Sequence, residues 1–504
     1  MATLRVDFWN NRVDGGSADD LITGDGRWNT LDGNGGDDTI YGYEGNDTIF
    51  GGTGSDYLNG GRDDDTIDGG SGADEIVDIY GVDKIEGGSG NDYIRVVGDD
   101  GFRYDKVEGG ADNDTLVITG DRIIAHGDIG NDTFRTDLGG ASGGAYLIGD
   151  DGNDRFVLTE AMFDNAGVTE IYGGEALIET RFISGPFVEI IDSITTSDES
   201  GTDALDDAGT DTLDMSELNG PGRLVVDLID GTLVHDVSGN ADFVRATLHG
   251  IENVVGSEAG DTILGNAADN VLEGGGGNDH LEGSQGQDTL IGGAGDDEMH
   301  GGTSTDSLQG GDNNDTLYGD GSTDVLEGGA GNDTLEGGGD WDTLSGDAGR
   351  DTLRGDGGDD WLYGDLEPGS VYADTLTGGV GADHFVFTDV GKGVSFNVKT
   401  GQIVSTYITD TITDFDAFGS DHDFLDVSAL FGKLENFEFI PGQDNMQRAM
   451  DQGYFYFVQG PVGARLMVDL NGGNLHTDTE RVFAVADLQG VAVDSVAGRA
   501  ELFY

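Results

Sequence analysis

The sequence predicts an all-β solenoid, a chain wound into short turn-and-strand units that stack and each bury one apolar side chain. Three observations predict it: a nine-residue period, a glycine excess, and an acidic excess in register with that period. From Gly256 to Tyr363 the period runs unbroken through twelve units. Position 1 is glycine in all twelve, from Gly256 to Gly355, and position 8 is always apolar, from Ile263 through Met299 to Leu362. Gly328-Gly-Ala-Gly-Asn-Asp-Thr-Leu-Glu336 is a representative unit. A second array of nine units runs from Gly15 to Arg95, with Ile22, Leu31, Ile40 and their successors to Ile94 at position 8. Its register then slips by four residues and resumes with Asp105, Asp114, Asp132 and Asp154, except that Ile123 stands where aspartate is expected.

Each half of the unit has a physical role. The Gly-Gly-x-Gly half tolerates positive φ and makes a tight turn. The x-apolar-x half is too short for a helix but suits a short strand with one side chain directed inward. Stacked units of this kind form a solenoid. Glycine supplies 92 of 504 residues, against a usual ~7 %. With only 5 prolines, a collagen-like reading is excluded.

The charge sharpens the picture. With 23 basic and 100 acidic side chains the net charge is −77, which opposes collapse and repels nucleic acid and anionic membrane. The absence of cysteine excludes a disulfide scaffold, a thiolate zinc site and a cysteine nucleophile. Much of the acidity falls on position 6. In the longer array this position holds Asp261, Asp279, Asp288, Asp297, Asp306, Asp315, Asp324, Asp333, Asp342, Asp351 and Asp360, with Asn270 as the exception. In the shorter array it holds Asp20, Asp38, Asp47, Asp56, Asp65, Asp74, Asp83 and Asp92, with Asn29 as the exception. Stacked turns set these carboxylates near the ~4.8 Å strand spacing, where like charges need a counter-ion. Ca²⁺ takes about 6–8 oxygen ligands from carboxylates and carbonyls, while Mg²⁺ demands stricter geometry. Few histidines and no thiols disfavour zinc and copper. Calcium, bound at multiple sites, is the expected cofactor.

Units 274–282, 328–336 and 378–386 match the Gly-Gly-x-Gly-x-Asp-x-apolar-x nonapeptide, and on them the chain resembles the RTX (repeats-in-toxin) calcium-binding family. The resemblance implies a right-handed parallel β-roll with two nonapeptides per coil and calcium between stacked turns. Position-6 aspartates and glycine carbonyls would be the ligands. Carried over, the ligands are the aspartates named above together with Asp114, Asp132, Asp154 and Asp383. If a site needs units i and i+2, the arrays offer roughly 10 and 7 sites of several oxygens each. Asn29 and Asn270 weaken their own sites, and Ile123 abolishes one.

Four regions follow. Residues 1–157 form an amino-terminal roll, regular over 15–95 and irregular to 157. Residues 158–255 form an irregular β-solenoid spacer, with short strands expected at 210–214, 223–227 and 250–255. Residues 256–386 form the second roll. Residues 387–504 form a capping module that resembles the one following the repeats in serralysin-type proteins, on Asp410–Asp416 and Asp423–Ser428. Gln443–Gln452, with Met446 and Met450 four apart, reads as a short helix. The terminal Glu501-Leu-Phe-Tyr504 resembles the C-terminal signal of type I export substrates. The opening residues lack a signal-peptide apolar stretch, and no run approaches the ~18 apolar residues of a membrane span. A secreted, extracellular bacterial protein without an N-terminal signal peptide is therefore expected, passed out by a type I (ABC) exporter and folded by calcium outside.

No catalytic constellation stands out. No two of the eight histidines are four apart, and none is followed by glutamate, so an H-E-x-x-H zinc site is missing. The one G-x-S-x-G string, Gly140–Gly144, lies in a glycine-rich insertion instead of the strand-to-helix elbow that such a nucleophile needs. The expected role is non-enzymatic, structural or in cell-surface or matrix interaction, with a surface glycan or matrix as partner. The alternative is a secreted hydrolase or glycan-modifying enzyme with a site in 158–255 or 387–504.

Overall fold

The structure is a computed structural model. It describes residues 2–6, 11–98, 103–120, 122–137, 144–159, 169–174, 176–183, 188–196, 210–218, 223–236, 244–364, 372–386, 396–397, 402–403, 410–414, 423–426, 449–450, 452, 455–459, 463–469, 482–489 and 491. The chain divides into two units, Met1–Ile263 and Leu264–Tyr504, each built on a parallel β-roll.

In the first unit, a strand recurs every nine residues and pairs in parallel with the strand one coil onward. Strand Thr39–Glu44 pairs with Tyr57–Arg62, and that with Glu75–Asp78. On the other sheet Thr48–Thr53 pairs with Thr66–Ser71, and that with Lys84–Ser89. The register sets like on like: Ile40 faces Leu58, and Ile49 faces Ile67. Within each strand buried and half-exposed residues alternate, because side chains point to opposite faces in turn. The position-8 residues Ile22 to Ile94 are buried almost completely and fill the space between the sheets. Each contributes about 1.5–3 kcal/mol.

The four-residue slip is an insertion within a coil. Asp83 and Asp105 stand 22 residues apart, whereas Asp65 and Asp83 stand 18 apart. The inward column nevertheless continues without a gap from Ile94 through Leu116, Phe134 and Phe156 to Leu213. Phe134 and Phe156 stack with ring centroids 4.9 Å apart. Later coils tolerate longer excursions. Strand Arg155–Leu158 pairs with Thr212–Asp214, and Thr169–Tyr172 with Val244–His249. The excursions contain the antiparallel pair Ala176–Ile183 and Val188–Thr196, and a meander of Arg223–Asp227, Thr232–Asp236 and Val244–His249.

The second unit repeats the plan with leucine in the core. Leu272, Leu290, Leu308, Leu326, Leu344 and Leu362 stack in one sheet. Leu281, Met299, Leu317, Leu335, Leu353 and Leu376 stack in the other. The parallel ladder then gives way to a meander. Strand Val482–Gln489 lies parallel to Asp410–Ile412 and antiparallel to Gly463–Asp469, which in turn pairs antiparallel with Phe455–Gln459. This pairs an edge that an open solenoid would otherwise leave bare.

Of the segment expected to be helical, 449–450 is helical, while 443–448 and 451 lie outside the described residues. Gly140–Gly143 and Glu501–Tyr504 lie outside them as well. No described helix is long and apolar enough to cross a membrane.

Candidate metal centres

Every aspartate that the sequence nominates is buried, and coil stacking gathers them into columns at the turns. One column of the first unit runs through Asp20, Asp38, Asp56, Asp74, Asp92, Asp114, Asp132 and Asp154, and the other through Asp47, Asp65 and Asp83. In the second unit the columns are Asp288, Asp306, Asp324, Asp342, Asp360 and Asp383, and Asp279, Asp297, Asp315, Asp333 and Asp351. The remaining candidate, Asp261, takes the Leu224 N–H on Oδ1 at 2.9 Å.

Each rung has the same chemistry. The backbone N–H of one position-6 residue donates to Oδ1 of the aspartate one coil onward, at 2.6 Å from Asp38 to Asp56 and 2.9 Å from Asp297 to Asp315. The second oxygen is left over. Oδ2 is buried without a hydrogen-bond partner in Asp38, Asp47, Asp56, Asp65, Asp74, Asp92, Asp114 and Asp132 of the first unit. The same holds for Asp288, Asp297, Asp306, Asp315, Asp324, Asp333, Asp342, Asp360 and Asp383 of the second. A buried unpaired polar atom costs about 1–3 kcal/mol, more when charged. Repeated along an array, that exceeds the roughly 5–15 kcal/mol net stability of a domain.

The position-1 glycine completes the arrangement. A methyl built on Gly319 meets the Gly337 carbonyl at 2.5 Å and Asp324 Oδ2 at 2.7 Å, and one on Gly301 meets Asp306 Oδ2 at 2.8 Å and the Gly319 carbonyl at 3.0 Å. Each turn thus holds a cradle lined by a carboxylate oxygen and a carbonyl oxygen, open only because no Cβ fills it. Burial pushes the carboxyls up, to about 8 for Asp65, Asp132 and Asp324 and to about 7 for Asp47, Asp92 and Asp360. Neighbouring aspartates add to the rise, and the N–H bonds to the carboxylates oppose it. An all-oxygen donor set with one surplus buried carboxylate oxygen per turn fits a hard divalent cation such as Ca²⁺.

The departures from pattern have local causes. Ile123 pairs with Asp105 and is fully buried. With no carboxylate there, the Asp105 N–H turns to the Arg122 carbonyl at 2.9 Å. Asn29 and Asn270 accept from N–H groups of their own turns, Asp25 at 2.8 Å and Asn266 at 2.9 Å.

Three further column members, Asp211, Asp374 and Asp423, escaped the sequence reading, and Asp105 of the resumed register joins them in the columns. Asp105, Asp211, Asp374 and Asp423 accept the N–H of Asp83, Asp154, Asp351 and Asp383 at 3.0, 2.7, 2.8 and 3.2 Å. Glu252 closes the Asp154–Asp211 column by accepting the Asp211 N–H at 2.9 Å. The readable signal was the strand triplet: Asp211-Thr-Leu213, Asp374-Thr-Leu376 and Asp423-Phe-Leu425 keep positions 6 to 8 without the preceding glycine turn. Outside the columns, His126, Asp128 and Asp150 bring ligand atoms within 4.8 Å of one another, and the His126 Nδ1 to Asp150 Oδ2 contact of 2.8 Å already joins two of them.

Comparison with known proteins agrees with this chemistry. Residues 10–40, 23–58, 41–76, 80–96, 255–290, 273–307, 300–335, 336–367 and 369–387 match the RTX calcium-binding nonapeptide repeat (4 copies). The matches cover the strictly periodic parts of both rolls. Among solved structures the chain is similar to the AlgE6R3 subunit of the Azotobacter vinelandii mannuronan C5-epimerase, determined in solution. The two are 24 % identical with a TM-score of 0.20, over 36 % of this chain and 80 % of that one. No curated protein matches the chain.

Proposed function

We propose that this is a secreted calcium-binding protein whose repeat coils fold when Ca²⁺ fills the turns, and that its role is structural or in surface interaction, without catalysis. The observation that carries the calcium reading is the row of buried, unpartnered Oδ2 atoms, each facing a glycine cradle. The position-6 aspartates and position-1 carbonyls would hold the ions. Bound calcium supplies the positive charge that lets adjacent carboxylates be buried together. The chain's own groups do the rest: N–H donors fix Oδ1, glycines keep the cradle open, and position-8 side chains close the core.

Export before folding suits such a chain. Calcium is scarce inside cells, and a −77 polyanion without counter-ions stays extended. Extracellular modules bind calcium at about 10⁻⁴–10⁻³ M, and binding to the folded state alone then drives folding. We assign the export signal to Glu501–Tyr504. Normal secretion of a chain lacking these four residues refutes that assignment.

Far-UV circular dichroism in EDTA and then in millimolar Ca²⁺ tests the folding claim. At pH 8 a β-sheet spectrum should appear only with calcium, and the same β-rich spectrum in both buffers overturns it. Turnover of casein, esters or acidic polysaccharides by the calcium-loaded protein overturns the non-catalytic role.

A further inference from the structure

We propose that Asp78 converts one turn of the amino-terminal roll into a three-carboxylate calcium site, formed with Asp65 and Asp83, that binds more tightly than the turns around it. The inference rests on the calcium reading above. Position 1 of the nine units from Gly15 to Arg95 is glycine eight times and aspartate once, at Asp78. At that position a side chain is normally excluded: a methyl on Gly51 meets Asp56 Oδ2 at 2.6 Å, with the Gly69 carbonyl also in the way. Asp78 is accommodated by turning its carboxylate into the cradle of the preceding coil.

There it is fixed and left incomplete. Asp78 is fully buried. Its Oδ1 accepts the N–H of Ile79 at 2.9 Å and of Gly61 at 3.3 Å, while its Oδ2 has no partner. Asp65 Oδ1 takes the Asp47 N–H at 2.7 Å, and its Oδ2 is likewise buried without a partner. Both oxygens crowd the same spot: a methyl on Gly60 meets Asp65 Oδ2 at 2.6 Å and Asp78 Oδ2 beside it, where other turns present the next coil's glycine carbonyl. Asp83 accepts the Asp65 N–H at 2.7 Å. One oxygen from each of the three lies within 4.8 Å of the others.

Basic side chains nearby in the sequence are engaged elsewhere. Lys84 lies 3.8 Å from Glu86 and 3.9 Å from Glu108, and Arg62 stacks over Tyr80. The cluster therefore carries one formal negative charge more than a regular pair of carboxylates, with a carboxylate in place of a neutral carbonyl. Ligand charge count is a main determinant of calcium affinity, so this turn should fill first and empty last.

Equilibrium dialysis of the full-length protein against ⁴⁵Ca²⁺ tests this, with Asp78→Gly and Asp78→Asn alongside. Asp78→Gly restores the residue every other unit of the array uses, and Asp78→Asn keeps an oxygen for the two N–H donors. Circular dichroism in excess calcium checks that both fold. The native chain should retain one ion at a free calcium concentration about tenfold or more below that filling the other turns. In both variants this ion should bind only in the concentration range that fills the other turns, which should bind as before. Retention of the tight ion by the variants, or its absence from a native chain that fills its other turns, overturns this inference alone. A native chain that binds no calcium overturns it together with the calcium reading.

Discussion

The opening turns of each array and the turns behind them come from one nonapeptide, yet the side chain at position 6 does different work in the two places. In units 15–23 and 256–264 the aspartate closes its own turn. The Gly16 N–H donates to Asp20 Oδ2 at 3.1 Å, and the Ser257 N–H to Asp261 Oδ2 at 2.8 Å. Units 24–32 and 265–273 do the same with asparagine. Behind them the corresponding oxygen has no such donor. The cause is the handedness of the backbone. Inner turns hold positions 2 and 4 in the left-handed region, as in Gly52 and Gly54 (φ 108° and 131°) or Gly302 and Ser304 (105° and 90°). Position 2 then joins the strand ladder, as Gly52 does opposite Gly70. The opening turns carry Ala18, Arg27, Ala259 and Ala268 at position 4, residues that avoid that region. Their preceding strands stop before position 2, which leaves its N–H for the side chain. The same side chain is thus a turn-closing acceptor or a spare ligand according to the residue two places before it.

Removing carboxylates from each class of turn separates the two roles. Asp297→Ala and Asp333→Ala, in inner turns, should weaken calcium binding at their turns by roughly tenfold and raise the calcium midpoint of folding followed by circular dichroism. Asp20→Ala, in an opening turn, should lower thermal stability but leave that midpoint in place. Equal midpoint shifts in all three would erase the distinction.

Protons should partly substitute for calcium in the inner turns. Burial raises Asp65, Asp132 and Asp324 to about 8, against an unfolded value near 3.9. The folded state then binds more protons than the unfolded one. Its stability is fully present below about pH 4 and is lost as pH rises towards 8. In EDTA, acidification from pH 8 to pH 5 should therefore increase the β-sheet signal. A signal that falls on acidification contradicts the burial of these carboxylates without a cation.

The roll was legible from the sequence because burial repeats strictly. A side chain enters the core at every ninth residue, and Asp-x-apolar-x-Gly spacing at that period has few other uses. The columns were legible where the coil kept 18 residues or gained only a few, as at Asp114, Asp154 and Asp383, which follow their partners by 22, 22 and 23 residues. Asp211 follows Asp154 by 57 residues and Asp423 follows Asp383 by 40, so the intervening insertions hide a stacking that is obvious in space. Asp78 was missed for another reason. It occupies a glycine position, and a pattern that scores position 6 does not ask what a carboxylate at position 1 would reach.

Converting an opening turn into an inner one should produce a gain. The double substitution Ala268→Gly and Asn270→Asp supplies both missing features of unit 265–273. It should add one bound calcium by equilibrium dialysis. Unchanged stoichiometry would show that backbone handedness at position 4 does not control the site.

The smallest effect is expected at Ser257. Its backbone N–H and its Oγ both lie 2.8 Å from Asp261 Oδ2, so this opening turn satisfies that oxygen from within. Ser257→Ala removes the hydroxyl and keeps the N–H. A hydrogen bond to a charged group contributes about 1.5–3 kcal/mol, and a remaining donor softens its loss, so a destabilisation near about 1 kcal/mol is expected in thermal melts with saturating calcium. The calcium midpoint should not move, because an oxygen already held by the chain's own donors has little to offer an ion. If Ser257→Ala instead tightens calcium binding, the hydroxyl has been competing with the metal for Asp261, and the opening turns are latent sites closed by a side chain instead of turns built without one.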